Sequence, residues 1–255
     1  MYPLLQLGPI AIQVPGLILV LATWLGLSLS EKEAVRQKRP PEPLYGLVMT
    51  GIISGILGAK LWYVGRYLDT YLADPLGIFS VNSNTFDATA GMVIGAMAGI
   101  IYGYRKILPL RATLDLLTPG LATFSVGLGL SHLASGDAFG AVTEVPWAIY
   151  LWDARRHPTQ VYECILALMV LGVIWRLRQM ALYPGFLFLS WLSLTAVSRL
   201  FLEAFRGDSI IVANSIRQAQ LVPLILLLIS LWLMRQWLQP LDTPGKNQDA
   251  KETQA

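Results

Sequence analysis

The stretch LYGLVMTGIISGILGAKLWYVGRY, residues 44–67, decides the fold, because among all its apolar and small side chains only Lys60 and Arg66 carry charge. About twenty such residues cross the hydrocarbon layer of a bilayer as a helix. No water is present there to satisfy N–H and C=O groups, so the segment must satisfy its own backbone. Comparable runs recur at 9–30, 89–108, 114–133, 159–178, 183–203 and 219–237. The chain of 255 residues is 55% hydrophobic and 14% charged, with mean hydropathy +0.54. Soluble domains carry roughly a quarter charged residues, which excludes that class. The sequence therefore reads as an all-α integral membrane protein, with seven transmembrane helices in one domain over residues 1–240.

Charge placement sets the expected orientation. The opening MYPLLQLGP has no Lys or Arg, so the first run lacks the basic flank of a signal peptide and is too long for one. Lys32, Arg36, Lys38 and Arg39 follow it in EKEAVRQKRPPEP and hold that loop in the cytoplasm. Threading onward leaves most Lys and Arg inside, with the amino terminus outside and the carboxyl terminus cytoplasmic. The two longer outside loops fall at about 68–88 and 134–158. The net charge of +3 thus reflects topology and gives no reason to invoke nucleic acid. A lone cysteine, Cys164, excludes an intramolecular disulfide and reads as a small core residue. The polar end, 241–255, reads as a disordered cytoplasmic tail.

Ionisable residues at membrane depth face a cavity, a partner or a substrate. Lys60 shares a helical face with Tyr63. Asp115 suits the start of the fourth span, where it complements the helix dipole. His132 and Asp137 lie in LSHLASGDAFG, where that span ends, and Glu163 lies in the first turns of the fifth. SRLFLEAFRGD places Arg199, Glu203 and Arg206 on one stripe, with Arg199 and Glu203 spaced to pair and Arg206 near the outer surface. In WDARRHPTQVYE, residues 152–163, Pro158 suits the first helical position, with His157 as N-cap and Gln160 and Glu163 on one face. Arg155, Arg156 and His157 would then precede a helix amino terminus whose free N–H groups favour anions. Together with Arg206 they suit a phosphate, since a guanidinium fork matches its geometry. A phospholipid of the outer leaflet is the ligand these residues fit, and no cluster has metal-ligand spacing.

These residues also carry a resemblance. PWAIYLWDARRHPTQVYE resembles the signature of bacterial prolipoprotein diacylglyceryl transferases, of the form PWA…RHPxQ.YE. SRLFLEAFRGD, LDLLTPG, RQAQLVPLI and GPIAIQVPGLI resemble further family segments in the same order, over roughly residues 8 to 238. The resemblance implies an enzyme of the bacterial plasma (inner) membrane, without metal or organic cofactor. Such an enzyme moves the diacylglyceryl group of phosphatidylglycerol to the lipobox cysteine of a preprolipoprotein, giving a thioether and glycerol phosphate. On this transferase reading the catalytic group is His132, Asp137, Arg199 and Glu203, with His132, at a position where the family has an asparagine, the candidate base. Lys60, Arg155, Arg156, His157 and Arg206 would hold the lipid phosphate, and Tyr63, Gly136, Gly140, Gln160 and Glu163 would support them.

The chain departs from the family pattern at several points. Pro15 stands for a tyrosine, Lys60 for an arginine, and Thr89, Ala90 and Gly91 for a His-Gly-Gly. Gly129 stands for a second arginine and His132 for an asparagine. One such loss costs on the order of 10² in rate. The sequence therefore leaves a second reading, a non-catalytic lipid-binding paralogue, and a third, a transferase with a changed lipid or acceptor. An ion-coupled transporter is disfavoured, because no matching pair of broken helices appears.

Overall fold

The computed structural model describes residues 4–7, 10–80, 82, 85–180, 182–207, 211–212 and 216–238. The expected tail, 241–255, lies outside them. The elements begin with strands β1 (Leu4–Leu7) and β2 (Ile10–Gln13), then helices α1 (Val14–Arg36), α2 (Glu42–Arg66), α3 (Leu68–Ala73), α4 (Ala88–Arg105) and α5 (Leu110–Ser135). Strands β3 (Ile149–Leu151) and β4 (Ala154–Arg156), helices α6 (Thr159–Leu177) and α7 (Phe186–Glu203), strands β5 (Ile211–Val212) and β6 (Ile216–Arg217), and helix α8 (Gln218–Leu238) complete it. Among the described residues six helices are long and apolar enough to cross a membrane: α1, α2, α5, α6, α7 and α8. The run at 89–108 forms α4 but is not one of those six; four glycines and a Tyr-Gly-Tyr-Arg end dilute its apolar character.

The chain is mostly helical, with short antiparallel hairpins pairing β1 with β2, β3 with β4 and β5 with β6. The first hairpin shifts the first span. Residues 10–13 pair as a strand with Leu4–Leu7, so the helix starts at Val14 instead of at Pro9. A second correction concerns α6. Pro158 is its N-cap, not its first helical residue, with φ −75° and ψ 63°. Those angles and the Thr159 N–H to His157 C=O bond of 2.9 Å make an inverse γ-turn, which turns the chain sharply into the helix. Asp115 likewise falls in the second turn of α5, since that helix begins at Leu110.

The chain divides into two compact units, residues 27–120 and residues 1–26 with 121–255. In the first, α2 packs on α4 through glycines. A Cβ on Gly95 would lie 2.6 Å from the Gly51 carbonyl oxygen, and one on Gly91 would lie 2.9 Å from that of Gly55. Without a hydrophobic drive between helices in lipid, such close backbone approach is a main source of association. Lys60 is buried in this unit. Its ammonium donates to the Ser80 carbonyl and to Thr85 Oγ1, both at 2.8 Å, and lies 5.1 Å from the Phe86 ring centre and 5.9 Å from that of Tyr71. Tyr63 stacks on Tyr67 at 4.7 Å. In the second unit Ala122, Val170, Ile174 and Leu187 form the core, and α7 meets α8 through a buried Ser193–Ser230 hydrogen bond of 2.8 Å.

The α2–α4 contact makes a direct prediction. Gly95→Ala pushes a methyl into the Gly51 carbonyl and should cost about 1 to 3 kcal/mol, as overpacking does. Gly172→Ala meets nothing within 4 Å and should be neutral or slightly stabilising. Thermal unfolding of both variants in the same detergent checks the contrast.

Candidate functional site

The site is built where three helix ends are laced together by main chain. After α5, Gly136 and Ala138 take positive φ values of 84° and 55°, which reverses the chain. The segment that follows then pairs on both sides. Gly140 bridges Arg206, and Val142 bridges Arg156. The Ala141 N–H donates to the Phe205 carbonyl at 2.7 Å, the Gly207 N–H to Phe139 at 3.1 Å, and the His157 N–H to Ala141 at 3.0 Å. A Cβ on Gly140 would run into the His157 main chain. This small ladder joins the end of α5, the start of α6 and the end of α7.

Most of the WDARRHPTQVYE cluster secures that ladder. Trp152 and Asp153, with φ 50° and 58°, form the tight turn of the β3–β4 hairpin. Arg156 donates to the Leu151 and Gly140 carbonyls at 3.0 and 3.3 Å, and its guanidinium covers the Phe139 ring at 4.9 Å. Thr159 Oγ1 donates to the Ala138 carbonyl at 2.6 Å, and Gln160 Nε2 to that of Asp137 at 2.9 Å. His157 meets the Phe205 ring edge-on at 5.3 Å. Tyr162 Oη accepts the Trp147 indole N–H at 2.6 Å. Arg155 is exposed on the hairpin, and the Asp137 side chain is exposed beyond α5.

Below the ladder lies an ionic cluster. His132 Nδ1 is 2.7 Å from Glu163 Oε2, and Arg199 Nη2 is 3.1 Å from Glu163 Oε1. One carboxylate therefore serves both neighbours, with only 9% of its side chain exposed. This corrects the expected Arg199–Glu203 pair. Glu203 instead faces Arg206, with Oε2 3.8 Å from Nε. The i, i+4 spacing permitted the local pair, yet Glu163 presents its oxygen to Arg199 from the adjacent helix.

A cavity of about 230 Å³ adjoins the cluster, among α5, α6 and α7. Glu163, Arg199, Ser125, Thr195 and Ser198 line it together with Phe124, Leu128, Val170, Trp191 and Leu202. Among the described residues the buried Trp191 Nε1 meets no hydrogen-bond partner. An apolar pocket with a few convergent polar groups is the usual form of a small-molecule site. Lys60 and Tyr63 belong to residues 27–120, where loop groups already occupy two of the ammonium's three donors. Among the described residues no group of three or more His, Cys, Asp or Glu could hold a metal ion.

Sequence reasoning missed Trp191, Thr195 and Ser198, which read as ordinary span residues. Gly129 reads as a simple loss, but a Cβ there would lie 3.0 Å from Cys164 Sγ and 3.2 Å from its amide nitrogen. The close packing of α5 on α6 thus crowds the place where a side chain at 129 would start. Only the small residue at 129, facing the lone cysteine across two spans, offered a signal.

These features define a multi-pass helical membrane protein with a buried ionic cluster beside an apolar cavity. The profile of the family described as prolipoprotein diacylglyceryl transferase matches residues 3–236. The chain is 30% identical over 237 residues to the phosphatidylglycerol–prolipoprotein diacylglyceryl transferase of Trichormus variabilis, covering 87% of this chain and 84% of that one. It is 30% identical over 250 residues to the protein of that name from Geobacillus kaustophilus, covering 91% of both. The chain belongs to the prolipoprotein diacylglyceryl transferase family.

The Gly129 contact is testable without any assay of activity. Gly129→Ala should lose, through crowding, the helix-propensity gain of about 1 kcal/mol that an open site allows. Combining it with Cys164→Ala should recover part of that loss, because removing Sγ relieves the nearest clash while the main-chain contact stays. A double-mutant cycle on unfolding temperature reads the coupling.

Proposed function

We propose that the chain is a phosphatidylglycerol–prolipoprotein diacylglyceryl transferase of the bacterial inner membrane. It spans the bilayer seven times, α4 included, with the amino terminus outside and the carboxyl terminus in the cytoplasm. Its substrates are phosphatidylglycerol and the lipobox cysteine of a preprolipoprotein. The observation that carries the reading, beyond family membership, is Arg199: a guanidinium partly buried at an apolar cavity. An amphiphilic anion matches that pairing of environments, with its phosphate on the guanidinium and its chains along the helices.

In this reaction the thiol sulfur attacks the glyceryl carbon, and the carbon–oxygen bond to phosphate breaks. Charge gathers on the departing phosphate, so preorganised cations lower the barrier. Arg199 is the first such cation and Arg206, held by Glu203, the second. Arg155, exposed on the hairpin, remains able to receive a headgroup. Arg156 and His157 act mainly as parts of the ladder, and Lys60 as the bolt of its own loop. Asp137, exposed beyond α5, meets the glycerol hydroxyls of the headgroup. Gly136, Gly140 and Gln160 shape the floor, and Tyr63 supports the Lys60 region.

Gly129 favours a second reading. Its seat against Cys164 crowds the position where the family pattern has an arginine, and a chain without that cation binds lipid without transferring it. One experiment separates the two. Cells depleted of their own transferase express the chain, and labelled phosphatidylglycerol is followed onto a model lipoprotein. Transfer is expected, and Arg199→Ala should lower kcat/KM by about a hundredfold or more. Lipid that co-purifies without being consumed would establish the binder instead.

A further inference from the structure

We propose that His132 Nε2 accepts the proton of the acceptor thiol, with Glu163 as the positioning residue that holds it to that task. The proposal rests on the transferase reading above. An ionised carboxylate only accepts hydrogen bonds, so the 2.7 Å contact with Glu163 places the ring hydrogen on Nδ1. A neutral imidazole has one N–H, which leaves the Nε2 lone pair open. Among the described residues Nε2 meets no partner. The His132 side chain keeps 23% of its surface, against 9% for Glu163, so the ring is the more reachable member of the pair.

Glu163 cannot swing away from this role easily, because its other oxygen is tied to Arg199 at 3.1 Å. Arg199 and Glu163 together are neutral, so a proton arriving on His132 makes an imidazolium that the carboxylate touches directly. The same carboxylate joins the base to the guanidinium at the cavity, which keeps the proton acceptor and the phosphate-binding cation in fixed relation. His157, the only other histidine of the chain, is placed differently. Its Nδ1 lies 3.4 Å from Tyr162 Oη, and its ring is packed between Tyr162 and Phe205.

The step balances without any added reagent. The S–H bond breaks and its proton passes to Nε2. The sulfur forms a bond to the glyceryl carbon as the carbon–oxygen bond breaks, and that electron pair leaves on the phosphate oxygen of glycerol phosphate. The imidazolium then returns its proton to water or to the departing monoester. A base is useful here because a free thiol is only a few per cent ionised near neutral pH.

The test uses the full chain in phosphatidylglycerol-containing nanodiscs with a lipobox peptide. His132→Gln should lower kcat by about 10² to 10⁴ with KM for the lipid unchanged. Added imidazole, or an acceptor whose thiol is already ionised, should restore part of the rate. Glu163→Gln should lower kcat by roughly tenfold, since the ring keeps its chemistry and loses its orientation. Nitrogen NMR of labelled histidine, simplified because the chain has two and assigned with His157→Gln, should show His132 with hydrogen on Nδ1 and a bare Nε2. In Glu163→Gln both tautomers should appear. A wild-type chain that transfers lipid while His132→Gln matches it, or a His132 ring carrying its hydrogen on Nε2, sinks the base and leaves the transferase standing. A wild-type chain that transfers nothing removes both.

Discussion

The main-chain ladder of residues 139–143 with 155–157 and 205–207 is the constraint on which the site depends. Three helices end or begin there. α5 supplies His132 from its last turn, α6 supplies Glu163 from its second, and α7 supplies Arg199 one turn before its end. Each side chain is short or forked, and none could find the others if its helix slid by one residue. Main-chain hydrogen bonds do not stretch to allow such a slide. Buried backbone groups must be paired, so the ladder is also the cheapest way to end three helices at one level.

The ionic cluster below it is balanced against a strong penalty. Taking a charge out of water costs several kcal/mol even after relaxation, and pairing returns this only when the remaining lone pairs are satisfied. Glu163 meets that condition by using both oxygens. Glu203 and Arg206 form a looser pair one turn nearer the helix end. Two carboxylates thus accompany two arginines, with the His132 imidazole beside them. Family membership and this arrangement point the same way, although several groups of the family pattern are replaced.

The helices were legible because long apolar runs leave the backbone one option in lipid. Residues 44–67 and 159–178 gave their helices to within two residues at each end. The first run misled by a few residues, since nothing in PIAIQ distinguishes the start of a helix from a strand that pairs with Leu4–Leu7. The polar residues were legible as a set but not as pairs. Arg199 and Glu203 lie four apart on one helix, and spacing alone favours them. The partner actually used, Glu163, stands on another span, and a single sequence carries no sign of its approach. Arg156 fits a phosphate by its guanidinium, and Lys60 by standing where the family has an arginine. Their donors go to carbonyls of nearby loops, a use that depends on where each loop passes and not on residue type.

The meeting of Gly129 with Cys164 ties the residue at 129 to its neighbour on the next span. A side chain put back at 129 asks the sulfur and the adjoining main chain to give by a few tenths of an ångström. Return to the family pattern therefore involves two spans and not one position. Whatever chemistry this lineage performs, it must be worked out with the cations and the imidazole already in place.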